Sequence, residues 1–334
     1  MKASVIGGGS WGSAFALHLG SLNIPTKLWI REKDIYEKAL RERENKTFLP
    51  GFRFPSSVSF CHHLKEAVNS SSIVFIAVPS KFCREVYKKL APLLSSEQMI
   101  VSLTKGLEEN SISRMSEVMN QEFSSFFNPR LSVISGPSFA KEVAKKYPTA
   151  VVIASKDLQM GRKIQHLVSS LDFRAYLSDD VIGVELGGSI KNVIAIASGI
   201  SDGLGFGSNA KAALITRGLT EITRLGIQMG AKSETFSGLA GVGDLVLTCT
   251  GKLSRNRYVG SQLGEGKKLD EIVQRMKMVA EGISTTHCVR QLARRECVEM
   301  PITEQIYQTL YEHKDPKKAL SDLMSRKLKH EYNV

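Results

Sequence analysis

Cysteine is scarce and unpatterned in this chain. Its five cysteines, Cys61, Cys83, Cys249, Cys288 and Cys297, are odd in number and include no CxxC pair or zinc spacing. That argues against a disulfide framework and a structural zinc site, and for free thiols in a reducing compartment. The seven histidines (His18, His62, His63, His166, His287, His313, His330) show no metal spacing either. No metal is expected, and they read as surface or packing residues. No run reads as long enough to span a membrane. The opening MKASVIGGGSWG has the pattern of a strand and turn rather than a signal peptide, so a cytoplasmic protein without an integral membrane segment is expected. Low-complexity linkers and internal repeats are also missing. The net charge of +12 is dispersed, with only short pairs such as Lys88-Lys89, Lys145-Lys146 and Lys267-Lys268. Without a basic stripe interleaved with aromatics, nucleic acid is a poor fit as partner; phosphorylated small molecules fit better.

What is present is an ordinary globular composition in 334 residues, enough for two domains with separate cores. Through residue 184, apolar runs alternate with helical stretches. Candidate strands are 3–7, 26–30, 73–78, 99–103, 131–135 and 150–154, with helices at 10–22, 82–93 and 112–123 between them. Such continuous runs predict a mostly parallel sheet with helices on both faces, an α/β Rossmann-like domain over 1–184. From 185 to 334 the pattern turns almost entirely helical, with candidates at 187–201, 210–225, 270–276, 285–294 and 304–311. This predicts an all-α second domain, packed closely on the first with a cleft between them.

The first turn reads Gly7-Gly8-Gly9-Ser10-Trp11-Gly12, after a strand and before a helix. Gly7 permits the tight turn, Gly9 lets a pyrophosphate approach the backbone, and Gly12 lets helix and strand pack closely. The helix start adds N–H donors and positive potential. Dinucleotide binding follows, with backbone contacts from Ser10 and Trp11, although Trp11 fits a packing role equally well. Arg31 ends the second strand about twenty residues on, where an arginine accommodates the 2′-phosphate of NADP. Glu32 follows directly and leaves NAD open.

Later strand ends carry further candidates, because ligands sit at that edge of such sheets. Ser80 is placed to cap a helix after Pro79. Lys105 stands at the mouth of the expected cleft, where a substrate lysine and a surface lysine fit equally. Gly136 and Pro137 make a turn, and Ser138 is placed to cap the next helix or to face the cleft.

In the second half, Lys191 is the only charged residue between Glu185 and Asp202, in a run apolar on nearly every face. Burial of a lysine disfavours its charged form, lowers its pKa and fits it to exchange protons near neutrality. The alternatives are that it reaches the surface or pairs with Glu185. Asp244 follows the irregular Gly238, Gly241 and Gly243, where a capping role fits. Ser254-Arg255-Asn256-Arg257 opens a helix suited to hold an anion, with Arg257 a second candidate to Arg255. A turn over 278–282 places Val279 and Glu281, the latter either a helix-end charge or a cofactor partner. The tail, 314–334, reads as a solvated helix and end.

Together these motifs resemble the bacterial type of NAD(P)-dependent glycerol-3-phosphate dehydrogenase. The resemblance covers nearly the whole chain: GGGSWG at 7–12, TKG at 104–106, GPSFAKEV at 136–143, ELGGSIKNVIAIASGISDGLG at 185–205, NAKAALITRG at 209–218, GLAGVGDLVLTC at 238–249, SRNR at 254–257 and VAEG at 279–282. Ser189 is a small-residue variation beside the lysine, without evident consequence in the sequence. The resemblance implies reduction of dihydroxyacetone phosphate to sn-glycerol 3-phosphate with NADP(H) or NAD(H), supply of phospholipid backbones, and a homodimer. It implies Lys191 as catalytic acid/base. Substrate contacts would be Lys105, Gly136, Ser138, Lys191, Asp244, Ser254, Arg255 and Asn256. Cofactor contacts would be Ser10, Trp11, Arg31, Lys105, Ala140, Arg255, Val279 and Glu281, beside the glycines of the first turn. The competing readings are another dehydrogenase of this architecture, of 3-hydroxyacyl-CoA or ketopantoate type, and a non-catalytic NADPH sensor.

Overall fold

The computed structural model describes residues 1–276, 279–328, 330 and 331. Met278, placed above in the turn before Val279, and the last residues of the tail lie outside them. Eight strands form one sheet: β1 (Ala3–Ile6), β2 (Thr26–Trp29), β3 (Val58–Cys61), β4 (Ile73–Ile76), β5 (Met99–Ser102), β6 (Arg130–Ser135), β7 (Thr149–Ala154) and β8 (Phe173–Ser178). Their order is β3-β2-β1-β4-β5-β6-β7-β8. All pairings are parallel except β6 with β7. β3 and β8 were not expected, and they are the two edge strands.

Alternation across the pleat assigns each residue to a face. Val5, Leu28, Phe75 and Val101 point to a core shared with α1 (Ser10–Ser21), α6 (Ala140–Ala144) and α7 (Leu158–Val168). Ile6, Trp29, Val74 and Ile100 point the other way, to α3 (Leu64–Val68), α4 (Ser80–Leu90) and α5 (Met115–Phe123). α4 shows why these segments are helices that pack: Cys83, Val86, Tyr87 and Leu90 recur at helical spacing and are buried, while Lys81, Glu85, Lys88 and Lys89 are exposed. A further short helix, α2 (Lys33–Glu42), follows β2. Ser80 is the first residue of α4 and Pro79 its N-cap, so the expected serine cap is not formed.

The rest of the described chain is helical: α8 (Val181–Gly203), α9 (Ser208–Gln228), α10 (Ser233–Phe236), α11 (Asp244–Thr250), α12 (Arg255–Gly264), α13 (Leu269–Gln274), α14 (Gly282–Arg295), α15 (Pro301–Tyr311) and α16 (Pro316–Met324). A π-helical stretch, Leu239–Gly243, runs directly into α11. The chain forms two compact units, Met1–Lys105 with Met115–Val181, and Gly106–Arg114 with Ile182–Val334. Position 184 falls inside α8, and the excursion Gly106–Arg114 belongs to the helical unit. The architecture is the expected α/β plus all-α pair.

One reading of the sequence needs correction. α8 is long and apolar enough to cross a membrane by length and composition, but 94% of its most apolar window is buried inside the protein. Around it lie Phe236, Leu245, Val259, Val289 and Leu292, which make it the central element of the second core. Glycines let α12 approach closely. A Cβ at Gly199 would sit 2.0 Å from the Arg257 carbonyl oxygen, and one at Gly260 2.0 Å from that of Ile196.

Candidate active site

In the first unit, β1 ends at Ile6 and Gly7 turns the chain at φ +122°. Gly9 is the N-cap of α1, and a Cβ built there would meet nothing within 4 Å. One at Gly12 would lie 1.9 Å from the Gly7 carbonyl oxygen. Tight turn, open approach and close packing are thus all present, and the cradle fits a dinucleotide pyrophosphate. Ser10 Oγ donates to the Phe48 carbonyl at 2.7 Å, so its side chain braces the loop. Trp11 packs on Phe15, ring centroids 5.7 Å apart. The motif reading missed Asn45, which is buried and donates through Nδ2 to Gly8 O at 2.7 Å and Ser13 Oγ at 2.9 Å. Only a buried asparagine far from the motif marks it, and no spacing rule reaches that far.

Arg31 is exposed beyond β2. Its Nε and Nη2 donate to Glu32 Oε1 at 2.9 and 2.6 Å, and its guanidinium lies 5.1 Å from the Phe82 ring centre. Lys105 Nζ and Ser138 Oγ both donate to the Gly136 carbonyl at 2.9 Å. The first unit therefore gathers Lys105, Gly136 and Ser138 in one place. Ser138 caps nothing, because α6 begins at Ala140 with Phe139 as N-cap.

In the second unit, Lys191 sits in the middle of α8, only 5% exposed. Its Nζ donates to Asp244 Oδ1 at 2.5 Å and Thr248 Oγ1 at 2.9 Å. Thr248 in turn donates to the Asp244 main-chain carbonyl at 2.6 Å, which orients its lone pairs to the lysine. Gly187, one turn before Lys191, lets this face meet the π-helical stretch that leads into α11: a Cβ there would lie 2.4 Å from the Ala240 carbonyl oxygen. Lys191 therefore neither reaches the surface nor pairs with Glu185. Glu185 is taken by Arg114 at 2.7 Å. Asp244 is the first residue of α11, after Gly243, so its buried carboxylate serves the lysine rather than a cap.

Ser254 is the N-cap of α12 and accepts from the Arg257 N–H at 3.2 Å. Arg255, in the first turn, is exposed. Arg257 is committed elsewhere, with Nε at 2.7 Å and Nη2 at 2.6 Å from Asp202 Oδ2, which removes it as the second phosphate candidate. Asn256 donates to Asn192 Oδ1 and accepts from the Gly282 N–H, both at 2.9 Å, so its amide ties α12 to α8 and α14. Asn192 and Thr248 were not singled out by sequence, since their parts depend on partners more than fifty residues away. Val279 is exposed and Glu281 is the N-cap of α14, without a side-chain cap bond.

Chemically, the second unit offers a buried ammonium held by a carboxylate and a hydroxyl. It also offers a helix start carrying an arginine. The first unit offers an open glycine cradle and a lysine beside a glycine turn. The family models described as NAD-dependent glycerol-3-phosphate dehydrogenase N-terminus and C-terminus match residues 2–161 and 180–321. The glycerol-3-phosphate dehydrogenase [NAD(P)+] of Citrifermentans bemidjiense is 49% identical over 330 residues, covering 99% of this chain and 98% of that protein. That of a Thermoanaerobacter species is 48% identical over 331 residues, covering 99% of each. The crystal structure of glycerol-3-phosphate dehydrogenase from Coxiella burnetii matches with a TM-score of 0.94 at 42% identity, covering 97% of this chain and 99% of that one. With both halves matched and these relatives aligned end to end, the chain belongs to the NAD-dependent glycerol-3-phosphate dehydrogenase family.

Proposed function

We propose that this protein reduces dihydroxyacetone phosphate to sn-glycerol 3-phosphate, reversibly. The observation that carries the reading is Lys191, buried in an apolar helix with Nζ on Asp244 and Thr248. A nicotinamide dinucleotide, when bound, supplies the hydride that reduces the C2 ketone. Lys191 delivers the proton to the forming C2 alkoxide, and Asp244 with Thr248 fixes Nζ for that transfer. General acid help of this kind contributes roughly 10²–10⁴-fold in rate. Arg255 and the amides at the Ser254–Asn256 start of α12 hold the phosphate, which positions the ketone, and Lys105, Gly136 and Ser138 are further substrate contacts.

Residues 1–184 form the cofactor half on this reading, and 185–334 the substrate half. Gly7, Gly9 and Gly12, with the N–H groups at the start of α1, take the pyrophosphate. Ser10, Trp11, Ala140, Val279 and Glu281 line the dinucleotide. Arg31 takes a 2′-phosphate and makes NADP the preferred cofactor, with no metal required. The same reading makes the protein a cytoplasmic homodimer that supplies phospholipid backbones and binds no nucleic acid.

The test is loss of NADPH absorbance with dihydroxyacetone phosphate, repeated with NADH and with unphosphorylated dihydroxyacetone. Turnover is expected only with the phosphorylated ketone and faster with NADPH. Equal or faster turnover with NADH would reassign Arg31. Cofactor binding without turnover would move the protein to another ketone or to the sensor reading.

A further inference from the structure

α8 presents two working faces. Gly187 and Lys191, four residues apart, face the 240–248 segment through Ala240, Asp244 and Thr248. Glu185 and Ser189, also four apart, face the excursion Gly106–Arg114. Ser189, buried to 1% exposure, accepts the Gly106 N–H at 3.0 Å and donates to the Glu185 carbonyl at 2.7 Å. The far end of the excursion is held by Arg114 on the Glu185 carboxylate, and Leu107 lies in the second core. One turn of α8, ending two residues before Lys191, therefore grips the excursion at both ends.

The Gly106 N–H belongs to the peptide group that joins it to Lys105. Gly106 has φ +141°, a conformation in which glycine lets the preceding peptide plane adopt more than one orientation. The Ser189 hydroxyl selects one of them, since the N–H must point at it. An alanine there would leave that N–H without its acceptor in a buried setting. We propose that Ser189 is a positioning residue: by fixing the Lys105–Gly106 peptide it sets the direction in which Lys105 meets a phosphorylated substrate. The inference rests on the reading of Lys105 as a substrate contact.

The test is Ser189→Ala in the full-length enzyme, with the wild type beside it. The KM for dihydroxyacetone phosphate should rise about tenfold, the scale of one buried hydrogen bond. The kcat should stay near the wild-type value, because the Lys191–Asp244 face is untouched. Amide exchange in a peptide spanning Gly106 should speed up in the variant. Unchanged KM, or a fall in kcat that tracks a lower melting temperature with KM constant, overturns the positioning role. If the wild type does not turn over this ketone, the functional reading falls and the role of Ser189 with it. Faster exchange at Gly106 would in that case leave only a structural tether.

Discussion

A lysine held as tightly as Lys191 serves as acid only if its partners orient it without removing it from the reacting atom. Asp244 Oδ1 and Thr248 Oγ1 both accept from Nζ, which fixes the direction of this donor within the apolar helix. Lys191→Met keeps the bulk and removes that donor. The expected outcome is a kcat lower by about 10²–10⁴-fold with cofactor affinity unchanged, read from steady-state rates and NADPH fluorescence titration. Near-wild-type turnover would sink the assignment. The lysine was legible in sequence because it is the lone charge in its run. Its partner was legible only through the resemblance, which put Asp244 at the substrate beside the lysine; spacing alone offered Glu185, which Arg114 claims, whereas Asp244 lies fifty-three residues away. Arg257 shows the same limit: a sequence gives a residue's place on a helix start, whereas Asp202 decides where the guanidinium goes.

Among the elements, helix ends show what burial demands. α15 begins with Pro301 after the N-cap Met300, which offers no side-chain acceptor to the first N–H groups. Glu221 of α9 fills that place, accepting from Ile302 N at 2.6 Å, Thr303 N at 3.2 Å and Thr303 Oγ1 at 3.2 Å. Complete burial nevertheless pushes its carboxyl up to about 7, against these donors and nearby Arg224. A carboxyl raised in the folded state binds more protons than the unfolded chain between its ordinary pKa of 4.5 and about 7. Its contribution to stability is therefore full below that window and lost as pH rises through it. Comparing urea unfolding of wild type and Glu221→Gln across that range, the difference should shift in favour of the glutamine variant by up to about 3 kcal/mol. A pH-independent difference would show that the carboxyl titrates normally. The inner strands were readable because continuous apolar runs signal strands buried on both faces. β8 was missed because Arg174 and Tyr176 alternate with buried Phe173 and Ala175, the pattern of an edge strand. The direction of β7 leaves no mark in its composition, so its antiparallel pairing with β6 was not foreseen.

For the molecule as a whole, the cysteine reading becomes a measurement. Cys61, Cys83, Cys249 and Cys288 are buried and Cys297 is exposed. Burial pushes the Cys61, Cys249 and Cys288 thiols up to about 12, far from the reactive thiolate. Iodoacetamide should thus label the native protein once, at Cys297, and all five thiols after denaturation, counted by mass spectrometry. Rapid native labelling at Cys249, which lies next to Thr248, would contradict the packing around Lys191. The two-part organisation was legible because strand alternation stops near residue 180. The excursion Gly106–Arg114 was not, because nine residues carry no period of their own. Finally, the burial of α8 bears on the order of synthesis. Apart from the excursion Gly106–Arg114, the segments that cover this apolar rod, through Leu292 of α14, are made after it. A ribosome that has just released Gly203 has therefore exposed a sticky, membrane-like segment that lacks its shelter for nearly a hundred residues of further translation. Chaperone demand and the risk of misrouting should peak in that interval, and chains cut short before α14 should aggregate rather than fold.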